Sequence, residues 1–246
     1  MINTIDIVIT MGGLGSRFRK AGYSEPKYMI KAKGKTLFEW AMISLSGYKE
    51  KVYRYIFIAM KDEKYDVMTF IRDKCRELYI DKYNIILLDQ LTDGQATTAL
   101  YAEKYWNPNH ALLIFNIDTY VEPGEMNYQQ LKGDGFIPCF KAEGDHWSFV
   151  RVNSDGVVVE IKEKKRISDN CTLGAYYFKT CRLFKDLYIE YYIHNSDQLT
   201  YKEKYVAPLY DYLLYKGGEI YITDIDPKKV HVLGTPEELN TFIKET

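Results

Sequence analysis

The fold is decided by the stretch IDIVITMGGLGSRFRKAGYSEPK, residues 5–27. It opens with a largely β-branched run, Ile5 to Met11, of the kind that fills a buried strand of an α/β sheet. Three glycines follow at once, and glycines permit positive φ and a close approach of a ligand to backbone N–H groups. The loop also carries a hydroxyl and three positive charges, on Ser16, Arg17, Arg19 and Lys27. These features predict a strand that runs into a loop for a polyphosphate.

Two better-known phosphate loops do not match this stretch. A Rossmann fingerprint needs a third glycine where Phe18 stands. A Walker loop needs a glycine five residues before Gly-Lys-Ser/Thr, and Met29 occupies that place before Gly34-Lys35-Thr36. Neither the dinucleotide nor the P-loop interpretation therefore applies.

The remaining pattern, G-G-x-G-S-R-F followed by P-K, resembles the signature loop of the sugar-phosphate nucleotidylyltransferases. These enzymes join a nucleotide to a phosphorylated small molecule and release pyrophosphate. The resemblance implies catalytic roles for Arg17 and Lys27. It also implies a nucleotide-binding loop made of Met11, Gly12, Gly13, Leu14, Gly15 and Ser16. The alternative is a strand-to-loop junction whose Arg and Lys are merely solvated.

Length and composition narrow the class of protein. A chain of 246 residues with 46% hydrophobic content suits one large α/β domain. A formal charge of −1 argues against a broad basic surface for nucleic acid, so free nucleotides fit better than polymers. No apolar stretch approaches the roughly 18 residues that cross a bilayer. Four cysteines without C-x-x-C spacing, and no signal-peptide pattern, predict reduced thiols in a cytoplasm.

Strands and helices alternate through the first half of the chain. Further strands are predicted at Tyr55–Met60 and Asn84–Leu88, with a helix after Thr36 and another from about Lys61 to Tyr79. Cys75 lies on the apolar face of the second helix, so we predict core packing for it. The order β, α, β, α, β is typical of a parallel sheet with right-handed crossovers. With the resemblance, it predicts a single Rossmann-like (GT-A-type) domain, a mostly parallel mixed sheet flanked by helices.

A second loop, D-G-Q-A-T-T-A, follows the third strand. In such sheets ligands bind beyond the carboxyl ends of the strands, so this loop is expected beside the first one. Family members carry a G-x-A loop here that reads the base, which implies nucleotide-binding roles for Gln95, Ala96 and Thr97. The alternative is that these residues only cap a helix.

Metal binding is implied at the end of the fourth strand, Ala111 to Phe115. Asp118 falls where the family places an aspartate that holds Mg²⁺, a hard cation that prefers carboxylate and phosphate oxygens; the alternative is a turn residue. The closing segment H-V-L-G-T-P-E-E-L resembles the family's D-I-G-T-P-E, but Val232 stands where the second metal-binding aspartate would be. Asp226, or Asp224, is the expected substitute.

The chain becomes strand-rich from residue 133, so residues 1–132 are predicted to form the nucleotide-binding half and residues 133–246 the acceptor-binding half. Glu163 and Lys164 resemble the start of the family's E-K-P segment, with Lys165 in place of the proline, and Gly174 resembles a glycine that lies against the acceptor. These three residues are the implied acceptor site. A solvated, lysine-rich sheet edge is the alternative.

The implied reaction moves a nucleoside monophosphate from a Mg²⁺-bound triphosphate to a small phosphorylated acceptor. Sugar 1-phosphates are the commonest acceptors in the family. The motifs M-G-G-L-G-S-R-F, D-G-Q-A-T-T-A and G-D-H-W-S-F-V are similar to a capsule-associated branch that includes the CTP:phosphoglutamine cytidylyltransferases. Two alternatives stay open: a GT-A glycosyltransferase with a nucleotide-sugar donor, in which Asn116 replaces the first acid of D-x-D, and a non-catalytic nucleotide sensor. The base, the acceptor and the oligomeric state are left open.

Overall fold

A ten-stranded mixed sheet forms the centre of the computed structural model, which describes residues 4–195 and 201–244. The helices and strands follow along the chain as β1 (Ile5–Met11), α1 (Ser16–Lys20), β2 (Lys31–Ala32), β3 (Lys35–Thr36), α2 (Leu37–Ser44), β4 (Val52–Met60), α3 (Val67–Glu77), β5 (Tyr83–Leu88), α4 (Gln95–Leu100), β6 (Ala111–Asn116), β7 (Thr119–Val121), β8 (Gly135–Lys141), β9 (Ser148–Val152), β10 (Val158–Glu163), β11 (Asn170–Thr172), β12 (Ala175–Phe178), α5 (Cys181–Tyr188), α6 (Ala207–Tyr215), β13 (Ile220–Ile225), β14 (Val230–Val232) and α7 (Pro236–Lys244).

Strand β1 lies inside the sheet, as its β-branched run predicts. It pairs in parallel with β4 on one side and β6 on the other. Successive side chains of a strand point to opposite faces. Ile5, Ile7 and Ile9 accordingly pack in the cluster that holds α2 and α3, whereas Val8 packs in the cluster that holds α4, α5 and α6. Burying each such side chain stabilises the fold by about 1.5–3 kcal/mol, so β1 anchors both layers of helices.

The sheet changes character at β6. Strands β5, β4, β1 and β6 are parallel, so their carboxyl ends meet at one edge. Beyond β6 the path continues through β12, β8, β11, β9 and β10 with antiparallel pairing, and β13 adds in parallel to β8. The predicted fold class, an α/β domain with a mixed sheet between helices, is confirmed.

Helix α3 begins later than predicted. The expected start was near Lys61, but the carboxylate of Asp66 accepts hydrogen bonds from Thr69 and caps a helix that starts at Val67. The preceding turn is closed instead by Asp62, which accepts a hydrogen bond from the N–H of Lys64. Local capping therefore overrides the apolar pattern at this end.

All four cysteines are buried and free in the structure. Cys75 packs in the core, and burial raises the pKa of its thiol to about 12, so it is not a nucleophile. Among the described residues no helix has the length and apolarity to cross a bilayer.

Candidate active site

A cavity of about 460 Å³ opens where β1 and β6 end, at the carboxyl edge of the parallel strands. This is the edge at which open α/β sheets bind ligands, and the volume is in the range of small-molecule sites. The walls come from the glycine loop, the start of α4, the residues after β6, and the strands of the second half. Both predicted halves of the chain therefore face one space.

The glycine loop contributes its first part to the cavity. Met11, Gly12 and Gly13 line it. Leu14, Gly15 and Ser16 lie beyond the lining, where Gly15, at φ 60°, starts α1. The side chain of Arg19 holds the loop from behind by donating to the carbonyl of Leu14 and pairing with Asp62 at 3.1 Å. Arg19 thus fixes the later part of the loop, while Met11, Gly12 and Gly13 remain accessible from the cavity.

The two predicted catalytic cations, Arg17 and Lys27, both line the cavity but differ in whether they form an ion pair. Arg17 is exposed, and its side chain forms no ion pair or hydrogen bond with the part of the chain that the structure describes. Lys27 starts a 3-10 turn after Pro26, and its Nζ lies 2.5 Å from Oδ2 of Asp118, with 15% and 27% of the two side chains exposed. The pair joins the loop after α1 to the residue after β6. Arg17, Lys27 and Asp118, to which the family resemblance assigns the reaction's charges, therefore line one cavity.

The second loop places only one of its three predicted side chains in the cavity. Gln95 lines it, and its Nε2 donates to Oγ1 of Thr10 at 3.0 Å. Ala96 is fully buried and its N–H donates to the carbonyl of Lys204. Thr97 turns to the other face of α4, where its hydroxyl bonds with Oη of Tyr188 at 2.8 Å. Ala96 and Thr97 therefore support the loop instead of lining the site.

Residues 201–206, which we call the crossing segment, lie across the start of α4. The N–H of Lys204 donates to the carbonyl of Asp93, and Nζ of Lys204 forms an ion pair with Oδ2 of Asp93 at 2.9 Å. A Cβ at Gly94, whose φ is 152°, would lie 2.4 Å from the carbonyl oxygen of Lys204, so only glycine permits this approach. At its other end the hydroxyl of Tyr201 donates to the carbonyl of Glu163. The crossing segment therefore connects the two halves.

Glu163 lies at the far wall of the cavity, at the end of β10. It is 7% exposed and accepts a hydrogen bond from the hydroxyl of Ser148. Burial raises the pKa of this carboxyl above its usual range, against the lowering effects of Ser148 and the nearby Lys164. Lys164 itself does not line the cavity, because its ammonium bonds the hydroxyl of Tyr205 and lies 4.3 Å from the centre of that ring. Of the predicted pair, only Glu163 contacts the enclosed space.

Gly174 lines the cavity as predicted, for a reason that the sequence did not show. Its φ is 87°, and a Cβ there would lie 2.1 Å from Nδ2 of Asn116. The glycine thus lets the side chain of Asn116 pack onto the backbone between β11 and β12. Oδ1 of Asn116 is buried without a hydrogen-bond partner in the described chain, and this residue lines the cavity.

The surroundings of Asp118 determine what could hold a metal. β14 pairs with β7, setting Val232 opposite Thr119, and the N–H of Leu233 donates to the carbonyl of Asp118 at 2.8 Å. Two residues after Val232, a Cβ at Gly234 would lie 3.3 Å from Oδ2 of Asp118 and 3.4 Å from Oε2 of Glu238. Two carboxylates from separate elements therefore approach the same backbone position.

Asp226 is not part of this arrangement. It precedes β14, at the opposite end of the strand from Val232, and its carboxylate accepts a hydrogen bond from the N–H of Lys228. It does not line the cavity. Asp224 lies 3.5 Å from Lys141 and is also outside the lining. Asp226, the expected substitute, thus lies outside the cavity, whereas Glu238 shares the cavity with Asp118.

The residues present fit Mg²⁺, the ion that the family resemblance implies. Oε2 of Glu238 is buried and has no hydrogen-bond partner in the described chain, so a cation would satisfy it. Within residues 4–195 and 201–244 no cluster of three or more His, Cys, Asp or Glu side chains could hold a metal. Mg²⁺ commonly takes one or two carboxylates and completes its shell with phosphate oxygens and waters, so a pair of acids suits it.

Several lining residues were not predicted from the sequence. They include His146, Trp147, Ser148, Thr172, Tyr176, Glu203, Tyr205, Val206 and Glu238. The motif G-D-H-W-S-F-V contains three of them, so its polar and aromatic composition was the available signal. Glu203 and Tyr205 had none, because only the path of the crossing segment brings them to the cavity.

Comparison with known proteins supports the assignment that the fold and cavity suggest. No protein-family model and no curated protein matches the chain. Among solved structures, the nucleoside-diphosphate-sugar pyrophosphorylase from Vibrio cholerae RC9 shares 34% identity over 97% of this chain and 100% of its own, with a TM-score of 0.87. Identity at this level over the full length shows common family. The chain belongs to the sugar-phosphate nucleotidylyltransferases, a family of enzymes.

Two more distant structures share the fold. The inositol-1-phosphate CTP transferase from T. maritima has 16% identity over 99% of this chain and 97% of its own, with a TM-score of 0.74. The CTP:phosphocholine cytidylyltransferase from Streptococcus pneumoniae has 12% identity over 98% of each chain, with a TM-score of 0.74. The same architecture thus occurs in transferases whose names specify different acceptors.

Proposed function

We propose that this enzyme transfers a nucleoside monophosphate from a nucleoside triphosphate to a small phosphorylated acceptor and releases pyrophosphate. The observation that carries the proposal is the Lys27–Asp118 pair at 2.5 Å, placed in one cavity with Arg17 and the glycine loop. A cation fixed beside an acid, with a second cation free, suits a triphosphate and its metal. The similarity to a nucleoside-diphosphate-sugar pyrophosphorylase supports the same reaction.

In this mechanism a phosphate oxygen of the acceptor attacks the α-phosphorus in line. The new P–O bond forms as the bond from the α-phosphorus to the bridging oxygen breaks, and that oxygen leaves with pyrophosphate, so no covalent enzyme intermediate is needed. Both reactants are anions. The task of the protein is therefore to hold them together and to neutralise the charge that grows on the phosphates.

Each positively charged group is proposed to bind a different part of the triphosphate. Arg17, unpaired in the described chain, is free to hold the β and γ phosphates together with the N–H groups of Gly12 and Gly13. Lys27 would lie at the α-phosphate, because its ammonium is held beside Asp118, the proposed metal ligand. Bound at Asp118, Mg²⁺ would supply positive charge to the phosphate oxygens. Gln95, at the start of α4, would hydrogen-bond the edge of the base.

The second half of the chain, residues 133–246, would hold the acceptor. Its part of the cavity contains the buried carboxylate of Glu163, the backbone of Gly174 and the rings of Trp147 and Tyr205. A carboxylate accepts hydrogen bonds, so we infer an acceptor that presents O–H or N–H donors to Glu163. Sugar 1-phosphates and phosphoglutamine-like acceptors both meet this condition.

We further propose a cytoplasmic role, in which the activated product serves capsule or surface-polysaccharide synthesis. The support is the resemblance of the motifs M-G-G-L-G-S-R-F, D-G-Q-A-T-T-A and G-D-H-W-S-F-V to a capsule-associated branch. CTP is the donor that this branch implies.

The test is pyrophosphate release with CTP, UTP, GTP, ATP or dTTP, Mg²⁺, and a pool of sugar 1-phosphates, phosphocholine and phosphoglutamine. We expect release with one triphosphate that depends on the pool and is lost in Lys27→Ala. Division of the pool then identifies the acceptor. No release with any pair, together with hydrolysis of a nucleotide-sugar or transfer from it, would replace the proposal with a glycosyltransferase.

A further inference from the structure

The geometry points to Glu238 as the second metal-binding carboxylate of this enzyme, in place of an aspartate at the position of Val232. The inference rests on the proposed function, because the metal is the one that the transfer requires. It concerns a residue in helix α7, whereas the family pattern places the acid in the preceding strand. The enzyme would therefore have moved a metal ligand from one element to the next.

The first support is convergence. The β7–β14 pairing and the hydrogen bond from Leu233 to the carbonyl of Asp118 fix the closing segment beside this acid. The backbone then turns at Gly234, which has no side chain to fill the space. Oxygens of Asp118 and Glu238 lie 3.3 and 3.4 Å from where a Cβ of Gly234 would stand. Both carboxylates line the cavity proposed to hold the triphosphate.

The second support is an unsatisfied atom. Oε2 of Glu238 is buried and accepts no hydrogen bond from the described residues. A buried carboxylate oxygen without a partner is costly unless a cation compensates it. The nearby ammonium of Lys27 lies 2.5 Å from Asp118. A divalent cation held by the two acids would give Oε2 of Glu238 the partner that it lacks.

Local structure explains how Glu238 reaches this place. The hydroxyl of Thr235 accepts a hydrogen bond from the N–H of Glu238 and caps α7, with Pro236 at its first position. The cap directs the first turn of α7 toward Gly234. Val232 lines the same cavity but offers no oxygen. Glu238, in the first turn of α7, is thus proposed to replace the aspartate that the family carries on the strand at the position of Val232.

A competing explanation is that Glu238 only stabilises the positive end of α7. Glu237 provides the matched control, because it lies in the same first turn but is exposed. Under this explanation, removal of either charge would lower helix stability alike and leave metal affinity unchanged.

The experiment measures Mn²⁺ binding to the full chain by electron paramagnetic resonance, with Mg²⁺ as competitor. We expect one Mn²⁺ site, with affinity at least about tenfold weaker in Glu238→Gln and in Asp118→Asn and unchanged in Glu237→Gln. Gly234→Ala, which places a methyl group 3.3 and 3.4 Å from oxygens of Asp118 and Glu238, is expected to weaken binding while both charges remain. Circular dichroism on each variant confirms folding.

Unchanged Mn²⁺ affinity in Glu238→Gln, or no binding to the wild-type chain up to about 10 mM, would overturn the inference. Its failure is separable from that of the proposed function. Pyrophosphate release with unchanged Mn²⁺ binding in Glu238→Gln defeats only the metal assignment. If Glu238→Gln loses Mn²⁺ binding but the wild-type enzyme releases no pyrophosphate with any triphosphate and acceptor, only the proposed reaction is wrong.

Discussion

Replacement of Lys27 by alanine separates a role in transfer from a role in folding. The ammonium contacts Asp118 at 2.5 Å in the cavity, and the proposed mechanism places it at the α-phosphate. Loss of one group that stabilises developing charge costs on the order of 10²–10³ in kcat, or about 2.7–4 kcal/mol of transition-state stabilisation. We expect a fall of that size in pyrophosphate release.

The effect on folding should be much smaller. The two side chains of the pair keep 15% and 27% of their surface exposed, so water solvates Asp118 once the lysine is gone. Ion pairs near the surface contribute about 0–1 kcal/mol. The free energy of unfolding of Lys27→Ala, measured by urea denaturation, should therefore fall by no more than about 1 kcal/mol.

Lys61→Ala is the matched control, because it breaks another lysine–aspartate pair outside the cavity, with side chains 58% and 75% exposed. Its kcat should stay within about twofold of wild type. The reasoning is refuted if Lys27→Ala keeps more than about a third of the wild-type kcat, since a cation at the α-phosphate cannot be dispensable. A loss of more than about 3 kcal/mol in stability would instead make Lys27 a structural residue.

Further changes test the rest of the site. Gly174→Ala puts a methyl group 2.1 Å from Nδ2 of Asn116 at φ 87°, so chemical denaturation should show a loss of about 1–3 kcal/mol; an unchanged midpoint would contradict the packing. Burial raises the pKa of Glu163, so the folded chain binds its proton more tightly, and this carboxyl's contribution to stability falls as pH rises from about 4.3 through the folded pKa. Glu163→Gln should therefore gain stability relative to wild type across that window, and urea midpoints that stay parallel with pH would disprove it. Gln95→Ala should raise KM for the triphosphate about tenfold, whereas Thr97→Ala, altering a hydroxyl on the other face of α4, should leave KM unchanged; steady-state kinetics in which Thr97→Ala is the more damaging would reverse the assignment.

The features predicted correctly are those encoded over short stretches. The run before the glycine loop identifies β1 because its alternating side chains must fill both faces of a buried strand. The position of Asp118 follows because an acid directly after a buried strand falls at the carboxyl edge of the sheet; its metal-binding role stays a prediction. Local order along the chain was sufficient for these features.

The positions of several other predicted site residues depend on distant contacts. Which face of α4 meets the cavity depends on Lys204, over one hundred positions later, whose carbonyl takes the N–H of Ala96. Lys164 is turned aside by Tyr205. Asp226 had the right chemistry but the wrong end of β14, and Glu238 becomes visible only once β14 pairs with β7. None of these contacts has a signal in local spacing.

The crossing segment also limits how the enzyme could be recombined with its relatives. A chimera that exchanges residues 1–132 alone would separate Gly94 and Ala96 from Lys204. The loop of the other protein would then have to accept the backbone of Lys204 at contact distance. The loop proposed to bind the base and the strand proposed to bind the acceptor are therefore joined by this segment and are not independent modules. A chimera that exchanges residues 201–206 together with residues 1–132 keeps the contacts of Lys204 with Gly94 and Ala96. This is the design to use for changing the nucleotide.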